Sequence, residues 1–324
     1  MRRIRTIAAM AVIGLMSAAV GWSPAGADES TPPAGGGIEY VGGTTPSDGF
    51  TSFDARATAE GFRFTFGAPG FVAVDTFIDG GGPVASSVLD GLGNSQSFAS
   101  LPYPSDNAIS GPGLIAGLTG LPSPPTYPFY VSSSYPTQEK AEFAGPGINL
   151  QALSAESSTE GTATSGGGGG GSAIGATSAH TSSKKDAGTI VAEAVVSADM
   201  INIADTLKIA SGKVTAMMSR STAGDPVKAS SFKLDGVSIS GQAVGFNEKG
   251  FVFAGSGAPI PPDNPLMDAL RQAGIDVRYL AATSDDNGII SPGLVITQKA
   301  QFPGSPTMIF TYVLGRARAT VTAS

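Results

Sequence analysis

From Phe50 onward apolar residues return at every second position, the period of a half-buried β-strand. Phe62, Phe64 and Phe66 share one face. Val72, Val74, Thr76 and Ile78 repeat the alternation after a turn at residues 67–70, so the pair reads as strand–turn–strand. A short helix is expected at 83–91, with Pro83 at its first position and Val84 and Val88 on one face. Further on, residues 150–164 and 172–183 alternate in small residues around the run Gly166 to Gly171. They predict a long hairpin of low profile, with its glycine-rich tip at 165–172. Strands are expected at 189–196, 207–209, 214–219 and 227–235. Residues 237–246 and 250–253 flank the hairpin loop Asn247-Glu248-Lys249-Gly250.

The clearest helix lies at 265–273. Asn264 is placed to cap it, Pro265 fits the first turn, and Leu266, Leu270 and Ala273 fall on one face with Met267 beside them. Gly274 is suited to end it. Residues 275–282 and 289–301 then read as strands around Ser284-Asp285-Asp286-Asn287-Gly288, and 307–322 as one long strand bent at Gly315. The connections are too short for parallel crossovers. The expected fold is mainly β, all-β to α+β: antiparallel sheets of long small-residue strands with a few short helices packed on them. Residues 50–324 read as one intertwined body, because no Phe, Tyr or Trp occurs between Ala144 and Ser231 to build a separate core.

The start of the chain has a different pattern. Arg2, Arg3 and Arg5 precede an apolar stretch at 7–20, and Ala25-Gly26-Ala27 offers a small-x-small cleavage site. The expectation is a signal peptide over 1–27, a mature N-terminus at Asp28 and a flexible lead-in over 28–49. The apolar stretch is shorter than the ~20 residues of a spanning helix. Arg2-Arg3 leaves twin-arginine export open beside the general route. The protein is therefore expected to be secreted, extracellular or associated with the cell envelope, without a transmembrane segment in the mature chain.

Several segments carry a resemblance. They are residues 62–77, the stretch Gly93-Asn94-Ser95-Gln96-Ser97-Phe98-Ala99-Ser100-Leu101-Pro102-Tyr103-Pro104, residues 131–136 and 236–250, and Thr311-Tyr312-Val313-Leu314-Gly315-Arg316-Ala317. In these the chain resembles secreted β-rich proteins of high-GC Gram-positive bacteria (Actinobacteria). The resemblance implies export and a β-rich fold, and brings no catalytic residue with it.

Composition narrows the chemistry. There is no cysteine and one histidine, so thiol catalysis, disulfides and Cys/His zinc sites are excluded. The net charge is −7, and loss of the three leader arginines would leave 16 basic against 26 acidic residues, which disfavours nucleic acid as a partner. His180, in Thr177-Ser178-Ala179-His180-Thr181-Ser182, is expected on an exposed strand and not as a catalytic base. The S-x-x-K spacings, Ser182 with Lys185 and Ser230 with Lys233, fall in strands, where residues three apart face opposite ways. No local motif selects a pair of carboxylates for glycoside hydrolysis. Asp285-Asp286-Asn287-Gly288 reads as a polar turn before a calcium loop, and the glycine run lacks the Lys-Ser/Thr of a phosphate cradle. No catalytic residue, metal site or cofactor is assigned.

One stretch stands out. Residues 107–138 contain no Asp, Glu, Lys or Arg. Broken by Pro and Gly, they read as one short apolar helical turn followed by extended, polyproline-like chain. Leu114, Ile115, Leu118, Tyr127, Phe129 and Tyr130 are the candidate apolar contacts, either on a partner or ligand surface or packed against the Phe62-Phe64-Phe66 face. The functional expectation is a non-enzymatic binding or structural protein of the envelope or extracellular space. The alternative is a carrier of a lipid-like or other apolar ligand.

Overall fold

Two antiparallel sheets, laid face to face, satisfy the alternation along the chain. The computed structural model describes residues 49–69, 76–101, 130–166, 174–301 and 306–324. The chain opens with β1 (Phe53–Gly67), β2 (Thr76–Gly81), β3 (Val84–Asp90), β4 (Ser95–Ser100) and β5 (Tyr130–Tyr135). Its middle supplies β6 (Lys140–Gly145), β7 (Ile148–Ala155), β8 (Ser158–Ser165), β9 (Thr177–Asp186) and β10 (Thr189–Ile203). It continues with β11 (Leu207–Ser221), β12 (Gly224–Asp235), β13 (Ser238–Ile239), β14 (Gln242–Asn247) and β15 (Gly250–Phe253). Helix α1 (Pro265–Gln272) leads to β16 (Ile275–Leu280), β17 (Thr283–Asp285), β18 (Gly288–Ile290), β19 (Gly293–Gln301) and β20 (Thr307–Ala323). The two ends of the chain share the first sheet, ordered β16-β19-β20-β1-β3-β4-β5, and the middle makes the second, β15-β14-β13-β11-β10-β9-β8-β7-β6 with β12 beside β11.

Over much of their area the sheets meet through residues too small to hold them far apart. Ala55, Ala57 and Ala59 of β1, Ala85 of β3 and Ala317 and Ala319 of β20 face Ala179, Ala192, Ala194 and Ala216 of the second sheet, all buried. Hydroxyls cross the gap directly. Ser97 Oγ donates to the Glu160 carbonyl at 2.5 Å, Ser95 Oγ to that of Ser158 at 3.1 Å, and Ser87 Oγ lies 2.9 Å from Ser183 Oγ. A Cβ on Gly161 would stand 2.8 Å from the Phe98 carbonyl of the other sheet. A serine that reaches the opposite backbone requires a gap well below the ~10 Å of an ordinary sandwich. The crossing hydrogen bonds also satisfy hydroxyls that would otherwise be buried at a cost.

Elsewhere the core is built of large residues. Ile201, Ile203, Leu207 and Ile209 of the second sheet meet Leu294, Ile296, Phe310, Tyr312 and Leu314 of the first, with Leu266 and Leu270 of α1 packed in the same cluster. Phe64 lies 5.2 Å from Tyr312 and Phe66 4.7 Å from Phe310, ring to ring.

The four central strands pass from one core to the other by changing which parity points inward. In β1 the inward residues are Ala55, Ala57 and Ala59, then Phe62, Phe64 and Phe66; in β20 they are Phe310, Tyr312 and Leu314, then Ala317, Ala319 and Val321. β10 changes from Ala198 to Ile201 and β11 from Ile209 to Val214. Pairing stays in step through the change, with Glu60 opposite Arg316 and Phe62 opposite Leu314. Left-handed residues make the turnover: Gly315 at φ +77° in β20 and Met200 at φ +52° in β10. At the first of these Ser291 is buried, and its hydroxyl donates to the Gly315 carbonyl and accepts from the Ala317 amide.

Several expectations are revised. Residues 83–91 form β3, not a helix: Ala85, Ser87 and Leu89 are buried at period two, and β1 and β4 pair with its backbone on either side. Pro83 precedes the strand, where its lack of an N–H removes no bond from the ladder. Residues 150–164 are not one arm of a hairpin but two strands, β7 and β8, turned at Glu156 and Ser157. The glycine run does lie between the paired strands β8 and β9, though residues 167–173 are outside the described residues. Residues 207–219 are one strand, and 237–246 are two. The helix at 265 is as expected: the Asn264 side chain accepts from the Leu266 amide at 3.0 Å, Pro265 opens it, and Gly274 follows at φ +70°. It is the one helix among the described residues.

Burial pushes the Tyr312 phenol up to about 12. In the unfolded chain a tyrosine titrates near ~10. The folded state therefore keeps its full advantage below about pH 10 and loses it as pH rises toward about 12. Urea unfolding should show the wild type losing about 2–3 kcal/mol relative to Tyr312→Phe across that interval. Parallel stability curves for the two proteins would show that the phenol is solvated.

Candidate functional site

The outer face of the second sheet carries the most ordered polar chemistry in the described residues. Inward parity takes Ala179, Ala192, Ala194 and Ala216 to the core, so the residues between them face outward. The pairing then sets them in rows across β8 to β12. One row runs Thr162, His180, Val195, Thr215 and Ser231. A second runs Thr164, Ser178, Ser197, Lys213 and Lys233, and a third Glu160, Ser182, Glu193, Met217 and Ala229.

The side chains in these rows bond sideways to one another. Ser178 Oγ is 2.7 Å from Ser197 Oγ, Thr215 Oγ1 2.7 Å from Ser231 Oγ, and Thr162 Oγ1 3.0 Å from His180 Nδ1. Lys184 pairs with Glu160 at 2.8 Å. At the sheet margin Lys140 and Gln151 both bind Glu142, and these hydrogen bonds, the one from Lys140 foremost, hold its carboxyl below the usual range. The result is a ladder of hydroxyls with charged residues among them, backed by the thin core.

His180 is part of this ladder. It is half-buried in the middle of β9, where an exposed strand position was expected, and its recorded partner is a threonine hydroxyl. The S-x-x-K pairs are split as strand geometry requires. Ser182 faces outward, while Lys185 lies over the Phe53 ring at 5.2 Å. Ser230 and Lys233 alternate in the same way on β12, and Lys233 pairs with Asp235 at 3.1 Å.

The turn at Asp285 gives its oxygens to side-chain cations of the protein. Arg220 Nη2 donates to the Asp286 carbonyl and to Asn287 Oδ1, each at 2.9 Å, and Lys228 Nζ to the Asp285 carbonyl at 2.6 Å. Arg220 Nε also donates to the Val321 carbonyl at 2.9 Å, so the guanidinium clamps β11 to β20 and the turn. That clamp was not apparent in the sequence, where nothing distinguishes Arg220 from other strand arginines. Among the described residues no group of His, Cys, Asp and Glu is arranged to hold a metal ion, and no helix is long and apolar enough to cross a membrane.

Of the apolar candidates, Leu114, Ile115, Leu118, Tyr127 and Phe129 lie outside the described residues. Tyr130 opens β5 beside Ser100 of β4, is 53% exposed, and stacks on Phe98 with centroids 6.0 Å apart. Ser100 and Tyr130, which precede and follow residues 102–129, are thus held side by side at one end of the β4–β5 pair.

No family model and no curated protein matches the chain. Among solved structures, OpdO of Pseudomonas aeruginosa is similar at 8% identity over 84% of this chain and 97% of that one, with a TM-score of 0.16. The toluene transporter TodX of P. putida is similar at 8% identity over 84% and 89%, also at 0.16. At that score neither likeness bears on the fold or the function.

The position of His180 gives a direct expectation. Replacing it with Ala removes one side-chain hydrogen bond at a half-buried site and should cost about 1 kcal/mol or less in urea unfolding. A loss of several kcal/mol would mean that the ring holds the sheet together by contacts other than Thr162.

Proposed function

We propose that this protein acts outside the cytoplasm as a non-enzymatic binding or structural element, exported by its N-terminal segment and working at the envelope or beyond it. The observation that carries this reading is the outer face of the second sheet. Its hydroxyl and charged side chains stand in register across β8 to β12, and two of these strands, β8 and β9, are bonded by serines of the first sheet behind them. A surface of fixed polar groups recognises another extended polar surface without ordering cost on its own side. Such a face suits adhesion to a repetitive hydrophilic envelope material better than turnover of a small molecule.

A second reading, a carrier of a lipid-like or other apolar ligand, is favoured by exposed Tyr130, within the uncharged stretch, stacked on half-buried Phe98. In the described residues the space between α1 and the sheets is filled by Leu266 and Leu270. A ligand would therefore be sought beside Tyr130, with Leu114, Ile115 and Leu118 as its further contacts.

Two measurements on protein from the native culture fluid test the pair. Intact mass should correspond to a chain starting at Asp28, and the protein should sediment with purified envelope fragments. Thr215→Arg together with Ser197→Arg places bulky cations on the outward face, and should weaken that sedimentation by more than about tenfold, roughly 1.4 kcal/mol, with the fold retained. A cytosolic protein that keeps Met1, or binding unaffected by the double change, would overturn the proposal. A lipid found by mass spectrometry in the purified protein, and lost in Tyr130→Asp, would favour the carrier.

A further inference from the structure

Close packing dictates glycine at one point of the turn that Arg220 clamps. β18 lies against β20 there, and a Cβ on Gly288 would stand 2.8 Å from Thr320 Cγ2. The residue before it is Asn287, which makes this the one Asn-Gly pair of the chain. Without a Cβ, glycine leaves its own nitrogen open to the side-chain carbonyl of the asparagine that precedes it. Asn287 is exposed, so water reaches its amide, while Gly288 is buried.

The turn fixes both groups that would react. Asp285 and Gly288 face each other as a ladder pair on either side of Asp286 and Asn287. The Asn287 N–H donates to Asp285 Oδ1 at 2.9 Å, and its main-chain carbonyl accepts from the Val321 N–H at 2.9 Å. Its side-chain carbonyl accepts from Arg220 Nη2, also at 2.9 Å. The same guanidinium is anchored on the Asp286 and Val321 carbonyls. Attack needs nitrogen and carbonyl carbon about 3–3.5 Å apart and aligned. An amide whose oxygen is pinned to Arg220 is not free to swing into that arrangement.

We propose that Asn287 is a guarded modification site: Arg220 restrains it, and release of that clamp commits it to deamidation. The Gly288 nitrogen then bonds to Asn287 Cγ, and the side-chain nitrogen leaves as ammonia, taking the Gly288 amide proton. Water opens the resulting five-membered imide at either carbonyl, giving aspartate or its isoaspartyl isomer. No other reactant enters. The isoaspartyl form carries one more methylene in the main chain and displaces the carbonyl that receives the Val321 N–H. It therefore cannot keep β18 in step with β20, close to where Ser291 ties off Gly315. The turn thereby records an opening of the clamp as a covalent change.

Peptide mass spectrometry on the mature chain at mildly alkaline pH tests this, read beside a synthetic peptide of residues 284–290. Asn287 in the folded wild type should convert at least about a hundredfold more slowly than in the peptide. Arg220→Ala should raise the folded rate by at least about tenfold through local opening of the turn. Asn94, which precedes Ser95 and is bonded to Asp90, should stay at its wild-type rate. If Arg220→Ala does not fold, Arg220→Lys takes its place. Lysine keeps the charge, but its single head cannot span the oxygens of Val321, Asp286 and Asn287, so Asn287 should again convert faster. Wild-type conversion at the rate of the peptide, or variants no faster than wild type, would overturn the proposal. So would a rise at Asn94 in step with Asn287, the mark of general unfolding.

Discussion

The change of inward parity at one level of the sandwich is the constraint on which the rest of the structure depends. On one side of it, alanine, serine and glycine let two sheets approach until hydroxyls of one bond the backbone of the other. On the other side, leucine, isoleucine and aromatic rings hold them apart. A strand that ran through both with unchanged alternation would send either its alanines or its phenylalanines to solvent. The left-handed residues Gly315 and Met200 avoid this by turning the strand over while keeping its partner in step. Ser291 then ties off the backbone groups freed at Gly315.

The two cores contribute differently. Burying a methyl is worth about 0.8 kcal/mol, and a leucine or phenylalanine side chain about 1.5–3 kcal/mol. Each pair of alanines across the thin region therefore adds little, and that region relies on long continuous ladders, close packing and satisfied hydroxyls. The wide region holds the large side chains and the helix. This division explains how a chain with no cysteine forms strands of fifteen residues without aromatic residues across its middle third. It also leaves hydroxyl and charged side chains in rows on the outer face of the second sheet, the property on which the proposed role draws.

Much of this was legible in residue order, and the failures have physical causes. The helix at 265 was clear because a capping Asn, a Pro and an apolar face coincide. Phe62, Phe64 and Phe66 announced their common face. The signal for the parity change was also present, in Ala55, Ala57 and Ala59 at odd positions followed by phenylalanines at even ones. It went unread because periodicity assigns a face within one strand and says nothing of the strand beside it. Residues 83–91 misled because Val84 and Val88 match a helical spacing as well as a strand's, and the ladders of β1 and β4 decided between them. The hydroxyl rows were not legible at all. Ser178 meets Ser197, and Thr215 meets Ser231, through register alone.

Gly315 tests the account most directly. An alanine there would be left-handed at φ +77°, and its Cβ would clash with Val214 Cγ2 in the opposite sheet. Gly93 offers the control: φ is +88°, with nothing within 4 Å of its Cβ position. Strain alone costs about 1–2 kcal/mol, and overpacking adds about 1–3 kcal/mol. Urea unfolding of Gly315→Ala and Gly93→Ala should therefore show the first destabilised by about 2–5 kcal/mol and the second by no more than about 2 kcal/mol. Equal losses in the two variants would contradict the claim that the sheets are pinned together where the parity changes.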